Sequence, residues 1–167
     1  KKVLSILKSN SVFEVLNHEF VERREVTLNE SILLKDKDNN STGIEVEVFS
    51  VPGKIALFLE DKNKGNNFGT DPEDTVGLKI IDVKTKKYFF YIPGCADMTD
   101  DLKNKIKGAP MVLFDGTLWT DDEMLKTKVG VQKTGQRMGH MSMFGEKGTI
   151  EIFKNLDVKK KYFIHIN

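Results

Sequence analysis

The chain has 167 residues, which is enough to bury one hydrophobic core and too few to argue for two domains. Twenty-six basic residues against twenty-five acidic ones leave a net charge of +1, so no overall field favours nucleic acid, a membrane surface or an acidic partner. The single cysteine excludes an internal disulfide, and no long apolar segment or signal peptide is present, so the sequence favours a cytoplasmic protein.

The first half of the chain predicts one short helix followed by strands. A capping box at Ser11 to Glu14 and apolar residues at spacing four predict a helix over residues 11–20. After it, four apolar stretches show the alternation or the uniform hydrophobicity that is typical of strands covered on one face or on both. These predicted strands are residues 44–48, 55–59, 76–80 and 88–92, of which the last two form a hairpin.

The second half predicts helices between buried strands. Thr99, followed by two aspartates and later by lysines and a glycine, provides the start, dipole and stop signals of a helix over residues 99–107. A buried strand is predicted at residues 111–114, a helix at 149–156 and a last strand at 162–166. Because the strands are flanked by helices, we expect a layered α/β fold.

Three side chains with catalytic or metal-binding chemistry lie at or near predicted strand ends. Asp115 follows the predicted strand at residues 111–114, and His165 lies near the end of the one at 162–166. His140 lies in the long Gly- and Met-rich segment between them. Ligands of α/β sheets bind at this edge, and a carboxylate with two imidazoles is the donor set of an open Fe(II) or Zn(II) site. The spacing is not a local ligand motif, so for each histidine an ordinary structural role stays the alternative.

Three further residues have both a structural and a functional interpretation. Trp119 either packs the long loop onto the core or forms a wall of the pocket. Lys54 follows a Pro-Gly turn and either faces an acidic group of the substrate or is solvated. Cys95 follows a predicted strand, where a small buried thiol is expected and a metal or redox role is the alternative.

Six blocks follow one another along the chain, at residues 51–61, 74–78, 91–96, 113–124, 133–140 and 163–167. The most specific strings are Leu-Phe-Asp-Gly-Thr-Leu-Trp from Leu113, Arg-Met-Gly-His from Arg137 and Phe-Ile-His-Ile-Asn from Phe163. In this order the blocks resemble the family of coenzyme PQQ synthesis protein B. The resemblance covers nearly the whole chain, and six ordered blocks are far more specific than one short motif.

This resemblance implies the αββα sandwich of metallo-β-lactamases, of which the chain forms mostly the second half. Its similarity to the tRNA-processing and phosphodiesterase branch implies that Asp115 and His140 form a catalytic dyad that handles protons, and that His165 is a metal ligand. A carboxylate bonded to an imidazole fixes the tautomer of the ring and raises its basicity. The predicted substrate contacts around this cleft are Lys54, Thr117, Trp119 and Arg137.

The family resemblance also implies a reaction and its partners. It is associated with iron-dependent hydroxylation of a tyrosine in a Glu-Tyr unit derived from a precursor peptide. Iron(II) or zinc is therefore the implied metal, and the Glu-Tyr unit or a PQQ intermediate is the implied partner, with a homodimer left open. A metal-dependent hydrolase of phosphodiesters or other esters and a carrier of PQQ are the alternatives.

Departures from the hydrolase pattern bear on this choice. The bridging aspartate that a binuclear site requires is replaced around Gly94 and Cys95, and an expected histidine is replaced by Gly53 or Lys54. The His-rich metal motif and the Cys-rich zinc site of the family do not occur in the sequence. We therefore expect residues 1–167 to be a partial domain, without the N-terminal metal motif and the C-terminal end, that leaves apolar surface exposed and has little activity alone.

Overall fold

A single six-stranded sheet organises the computed structural model, which describes residues 2–16, 19–21, 23–128 and 133–165. Its strands follow one another across the sheet in chain order. The first four are antiparallel, whereas the fourth, fifth and sixth run parallel to one another. The strands are β1 (Ser31–Lys35), β2 (Ser41–Ser50), β3 (Val76–Asp82), β4 (Tyr88–Ile92), β5 (Met111–Asp115) and β6 (Lys160–Ile164).

Short helices connect and cover the strands. The second of them begins after Thr99, whose side chain accepts a hydrogen bond from the backbone of Leu102, and it has aspartates in its first turn and lysines in its last, as predicted. In the described part of the chain, no helix is long and apolar enough to cross a membrane. The helices are α1 (Lys2–Ser9), α2 (Asp100–Ile106), α3 (Glu123–Thr127), α4 (Gly135–Met138) and α5 (Thr149–Lys154).

The hydrophobic core lies between one face of the sheet and helices α2 and α5. Aromatic rings fill it, with Phe90 edge-on to Phe49 at 5.7 Å and Phe114 edge-on to Phe153 at 5.1 Å between ring centroids. This burial fixes the sheet register, since a slip by one residue would move the apolar side chains to the other face. The remaining core residues include Ile92, Leu102, Ile106, Val112 and Val158.

The opposite face of the sheet is also apolar, but its side chains are only partly buried. Ile44, Ile80, Phe89 and Met111 line an open groove of about 620 Å³ on this side. The expected exposed apolar surface is therefore present. Both faces of β4 are thus hydrophobic, and only one of them is covered by helices.

Two predicted elements are wrong. The helix expected over residues 11–20 is a 3₁₀ turn at Ser11–Val15, and Asn10 rather than Ser11 caps it by accepting a hydrogen bond from the backbone of Val12. The apolar side chains of the predicted stripe stay in water, since Val12 is 67% exposed and Phe20 is 80% exposed. Residues 17 and 18 of that predicted helix, and Ile166 of the predicted last strand, lie outside the described residues.

The other wrong element is the strand expected at residues 55–59. Ile55 is buried, but its backbone N–H donates to the hydroxyl of Thr70 instead of a neighbouring strand. The chain then forms a 3₁₀ turn at Leu57–Leu59, with Phe58 76% exposed. Four further elements were not predicted, and each has eight residues or fewer: α1, β1, α3 and α4. The six strands form one sheet, in which β5 pairs with β4 on one side and with β6 on the other.

The two faces of β4 give a matched pair of stability variants. Phe90 is 2% exposed in the core, and Phe89 lies next to it on the partly buried face. We expect Phe90→Ala to lower the free energy of unfolding by about 3–5 kcal/mol. Phe89→Ala should cost less than about 2 kcal/mol, because its ring stays partly in water in the folded state. Urea denaturation of this chain measures both, and equal losses would contradict the assignment of the covered face.

Candidate functional site

The candidate site lies at the carboxyl edge of the parallel half of the sheet. Asp115 is the last residue of β5 and pairs with Ile164 at the end of β6, so His165 follows on the neighbouring strand. Gly116 keeps the two strand ends together, since its N–H donates to the carbonyl of Ile164. A side chain there would press within 2.9 Å of Phe163. Parallel pairing therefore brings the predicted carboxylate and a predicted imidazole to one edge.

Asp115 is fully buried, and both of its carboxylate oxygens are hydrogen-bonded. Oδ1 accepts hydrogen bonds from the backbone N–H of Thr117 at 3.1 Å and from its hydroxyl at 2.6 Å. Oδ2 accepts one from the backbone N–H of Cys95 at 3.0 Å and lies 2.7 Å from Nδ1 of His140. A buried carboxylate needs such partners to remain ionised.

The electrostatics of Asp115 follow from these contacts. Burial would raise the pKa of its carboxyl, but hydrogen bonds from His140, Thr117 and Cys95 oppose this, and the net pKa lies below its usual value. Asp115 is therefore ionised at neutral pH and acts as an acceptor only, so His140 donates Nδ1–H to it.

Backbone contacts hold His140 in place. Its N–H donates to the carbonyl of Gly135 at the start of α4, and the next residue, Met141, donates to the carbonyl of Cys95. Helix α4 is itself capped by the Thr134 side chain. The ring passes close to Gly94, and its side chain is 22% exposed. His140 is thus anchored to the end of β4 while part of its ring stays accessible.

His165 faces the same cleft from β6. Its Nδ1 lies 3.2 Å from the hydroxyl of Thr117, and its ring centroid lies 6.1 Å from that of His140. Its backbone is left-handed, with φ of 62°, which is uncommon for a residue other than glycine. Asp115, His140 and His165 therefore lie together at one edge, as expected, although their chemical roles stay predictions.

Cys95 is a buried thiol rather than an exposed nucleophile. Burial raises its pKa to about 12, and its Sγ donates to the backbone carbonyl of Asp97. The thiol is consequently protonated at neutral pH, which disfavours the alternative metal or redox role. What this position offers to the site is its backbone N–H, which reaches Asp115.

Trp119 follows Asp115 along the chain and is 53% exposed. Its ring stacks on that of Phe144 at 5.3 Å between centroids, and Phe144 is 60% exposed. The backbones of the two residues are hydrogen-bonded, and Glu123 accepts from the N–H of Trp119. Because these segments also carry Asp115 and His140, the aromatic pair is tied to the dyad.

Two more of the predicted substrate contacts lie in α4 and next to it. Arg137 donates two hydrogen bonds to Glu60, at 2.6 and 2.7 Å, and its guanidinium lies 3.9 Å above the ring of Phe68. These contacts give Arg137 a structural role in fixing α4, and contact with substrate stays a prediction. The first carbons of the Lys54 side chain pack next to Gly139, which precedes His140. Lys54 therefore borders the site.

The described residues supply only part of the coordination sphere of a metal ion at this edge. The described residues contain no group of three or more His, Cys, Asp or Glu side chains that could hold an ion. His140 and His165 are nevertheless close enough to share one cleft, and imidazoles are common ligands of zinc and iron. Since a catalytic zinc usually has three protein ligands, His165 fits one position of a metal site that other residues complete, with His140 beside it.

Some residues of the site were not identified from the sequence. Glu60 lies in one of the resemblance blocks, and the Leu-Glu-Asp string of that block was its only signal. Phe144 had no signal, because its role arises from stacking on a residue far away in the sequence. The bridge from Thr117 to His165 likewise depends on the pairing of β5 with β6.

Comparison with known proteins places this geometry in a family. The family model described as "Beta-lactamase superfamily domain" matches residues 1–166. Coenzyme PQQ synthesis protein B of Bradyrhizobium diazoefficiens is 48% identical over 100% of this chain and 53% of the relative. The protein of the same name from Xanthomonas oryzae pv. oryzae is 45% identical over 100% of this chain and 52% of the relative. The chain thus spans about half the length of the curated relatives it matches.

Solved structures agree with this result. Zn²⁺-bound PqqB from Methylobacterium extorquens superposes with a TM-score of 0.82 at 41% identity, over 99% of this chain and 52% of that one. The metallo-β-lactamase fold protein YhfI from Bacillus subtilis, at 10% identity over 84% of this chain and 41% of that one, has a TM-score of 0.50 and shows the fold alone. The chain resembles coenzyme PQQ synthesis protein B, has the metallo-β-lactamase fold and belongs to the β-lactamase superfamily domain family.

Proposed function

We propose that this chain carries the proton-handling part of a metal-dependent active site that acts in PQQ biosynthesis, and that the reaction is hydroxylation of a tyrosine in a Glu-Tyr unit. The main support for this proposal is the hydrogen bond between the buried carboxylate of Asp115 and Nδ1 of His140. The ring of His165 lies close to that of His140. Likeness to coenzyme PQQ synthesis protein B along the whole chain supports the pathway.

In this proposal the dyad moves protons. Asp115 holds the imidazole of His140 with Nδ1 protonated, which leaves Nε2 as the basic nitrogen that faces the cleft. Nε2 accepts the phenolic proton of tyrosine, and the carboxylate stabilises the imidazolium that results. The partial exposure of the His140 ring gives the substrate access to that nitrogen.

His165 is the proposed metal ligand. Its exposed ring and left-handed backbone, at the end of β6, are features that cluster at functional sites. Iron(II), when bound, would supply the chemistry that uses dioxygen, whereas zinc would supply a Lewis acid only. The remaining ligands would come from residues other than those described, because the described residues contain no group of three or more possible ligands.

The proposed hydroxylation has a definite balance. One atom of dioxygen enters the tyrosine ring as a hydroxyl group and the other leaves as water, so two electrons and two protons are consumed in addition. An external two-electron reductant is therefore required. The hydrolytic alternative needs no oxygen and no reductant, and this difference separates the two reactions.

One feature of the site disfavours a binuclear hydrolase. Cys95 occupies the position after β4, where a bridging carboxylate is expected, and its buried thiol stays protonated. Its side chain is fully buried and its Sγ donates to the carbonyl of Asp97, so no carboxylate is present at this position to bridge two metal ions. The dyad, on the other hand, disfavours a mere carrier, because a buried carboxylate is costly to maintain for binding alone.

The decisive assay compares two reactions of the intact natural protein. With Fe(II), oxygen, ascorbate as reductant and a Glu-Tyr peptide, we expect a hydroxylated product that mass spectrometry detects as the gain of one oxygen atom. With zinc and a phosphodiester substrate we expect no cleavage. Oxygen-independent ester cleavage with zinc, together with no tyrosine oxidation with iron, would favour the hydrolase instead. This chain of 167 residues alone should have negligible activity in both assays.

Replacing Asp115 separates proton handling from metal binding. Asp115→Asn should lower kcat by about 10²- to 10⁴-fold, because the imidazole loses the carboxylate that orients it and stabilises its charge. The affinity for zinc should stay near that of the unchanged protein, whereas His165→Ala should weaken it. Isothermal titration with zinc measures the affinities. If Asp115→Asn also lowers zinc affinity by about 10- to 100-fold, His140 is a ligand and not the base.

The stacked aromatic pair gives a test of substrate binding. An aromatic contact contributes about 0.5–1.5 kcal/mol, so Trp119→Ala and Phe144→Ala should each raise KM by roughly 2- to 10-fold with a smaller change in kcat. Phe58→Ala is the control, because Phe58 is also an exposed aromatic residue, at 76%, and lies in the separate 3₁₀ turn at Leu57–Leu59. Steady-state kinetics with the Glu-Tyr peptide would contradict a substrate contact if all three variants behaved alike.

A further inference from the structure

The hydroxyl of Thr117 lies between the carboxylate of the dyad and the second histidine. Its Oγ1 is 2.6 Å from Oδ1 of Asp115 and 3.2 Å from Nδ1 of His165. The backbone N–H of Thr117 also donates to Asp115, so the residue is fixed by two bonds to the same carboxylate oxygen. The hydroxyl therefore has little freedom to turn away.

The direction of the two hydrogen bonds follows from the donor inventory. A threonine hydroxyl has one hydrogen and two lone pairs, and an ionised carboxylate has lone pairs only. If the hydroxyl donated to His165, its own lone pair would face a lone pair of Asp115 at 2.6 Å, which is repulsive. The shorter contact and the charged acceptor both favour donation to Asp115.

It follows that His165 is the hydrogen-bond donor in its contact with Thr117. With its single hydrogen directed at Asp115, Thr117 offers only a lone pair to His165, so Nδ1 of His165 is protonated and donates to Oγ1. The neutral ring then has its lone pair on Nε2. His140 has the same tautomer, because its Nδ1 donates directly to the Asp115 carboxylate.

We propose that Thr117 is a positioning residue that extends the orienting effect of Asp115 to His165, so that one buried carboxylate fixes the tautomer of both imidazoles. Asp115 acts on His140 directly and on His165 through the hydroxyl. Both rings, whose centroids are 6.1 Å apart, then have a basic Nε2 available. The role of His165 as a ligand rests on the proposed function, whereas the tautomer does not.

The chain offers matched variants for this inference. Thr117→Val keeps the shape and the backbone bond but removes the hydroxyl, and Thr117→Ser keeps the hydroxyl. Thr120→Val is the control, because Thr120 also donates its hydroxyl to a carboxylate, that of Asp122, without contact to either histidine. All three are conservative changes at partly buried positions.

The measurement is the tautomer of each ring in the metal-free intact natural protein, labelled with ¹⁵N-histidine, from long-range ¹H–¹⁵N correlation spectra. In the unchanged protein, both rings should show a protonated Nδ1. In Thr117→Val, His165 should change to the Nε2-protonated form while His140 keeps its own, and Thr117→Ser and Thr120→Val should leave both unchanged. An unchanged His165 in Thr117→Val, or an equal change in Thr120→Val, would overturn the inference.

Zinc binding gives a second readout that separates this inference from the proposed function. Loss of a group that orients a metal-bound histidine typically weakens binding by about 10- to 100-fold, so Thr117→Val should lower zinc affinity at least about 10-fold and Thr117→Ser should restore it. A tautomer change without any change in zinc affinity would support the positioning role and contradict the assignment of His165 as a ligand.

Discussion

The hydrogen-bonded carboxylate of Asp115 is the interaction on which the site depends. An ionised carboxylate in a protein core is strongly unfavourable unless donors surround it. Here the donors come from three separate parts of the chain: the turn after β4, the turn after β5 and the loop that carries His140. Satisfying one buried charge therefore joins the segments that would otherwise be independent loops at the edge of the sheet.

The sheet supplies the geometry that this charge requires. Only parallel neighbours bring their carboxyl ends to the same edge, and β4, β5 and β6 form the parallel half. The antiparallel half has another task, since Phe49 on β2 contacts Phe90 on β4 and extends the core under the site. Arg137 and Glu60 complete the support by fixing α4 to the loop after β2. The parallel half thus carries the candidate site, and both halves of the sheet contribute to the core.

Sequence patterns predicted the regular parts of this arrangement well. The strands at β3, β4 and β5 and the helix α2 have strong alternation, uniform hydrophobicity or clear capping signals, so local residues determine them. The predicted strand at residues 55–59 failed because a hydrogen bond from Ile55 to Thr70, fifteen residues away, replaced sheet pairing. The predicted helix at residues 11–20 did not form, and within the described residues Val12 and Phe20 of its apolar stripe remain exposed.

The same distinction applies to the site. Asp115, His140 and His165 could be identified because each lies in a recognisable string, and strand order then implies that two of them share an edge. The contacts of Thr117 with His165 and of Trp119 with Phe144 join residues far apart in the chain, so no local pattern could predict them. Arg137 shows the converse case, in which a residue with a strong motif makes its observed contacts with the protein itself.

The mixed pairing of the sheet has a consequence for the order in which the protein folds. Antiparallel β3 and β4 are joined by a tight turn, so their contacts are local and can form early. The parallel pairs must wait for the crossover segments at residues 93–110 and 116–159, whose closure costs more chain entropy. Every residue that contacts the Asp115 carboxylate lies in or beyond these crossovers. The edge that carries Asp115 is therefore expected to be the last part to assemble and the first to be lost when unfolding begins.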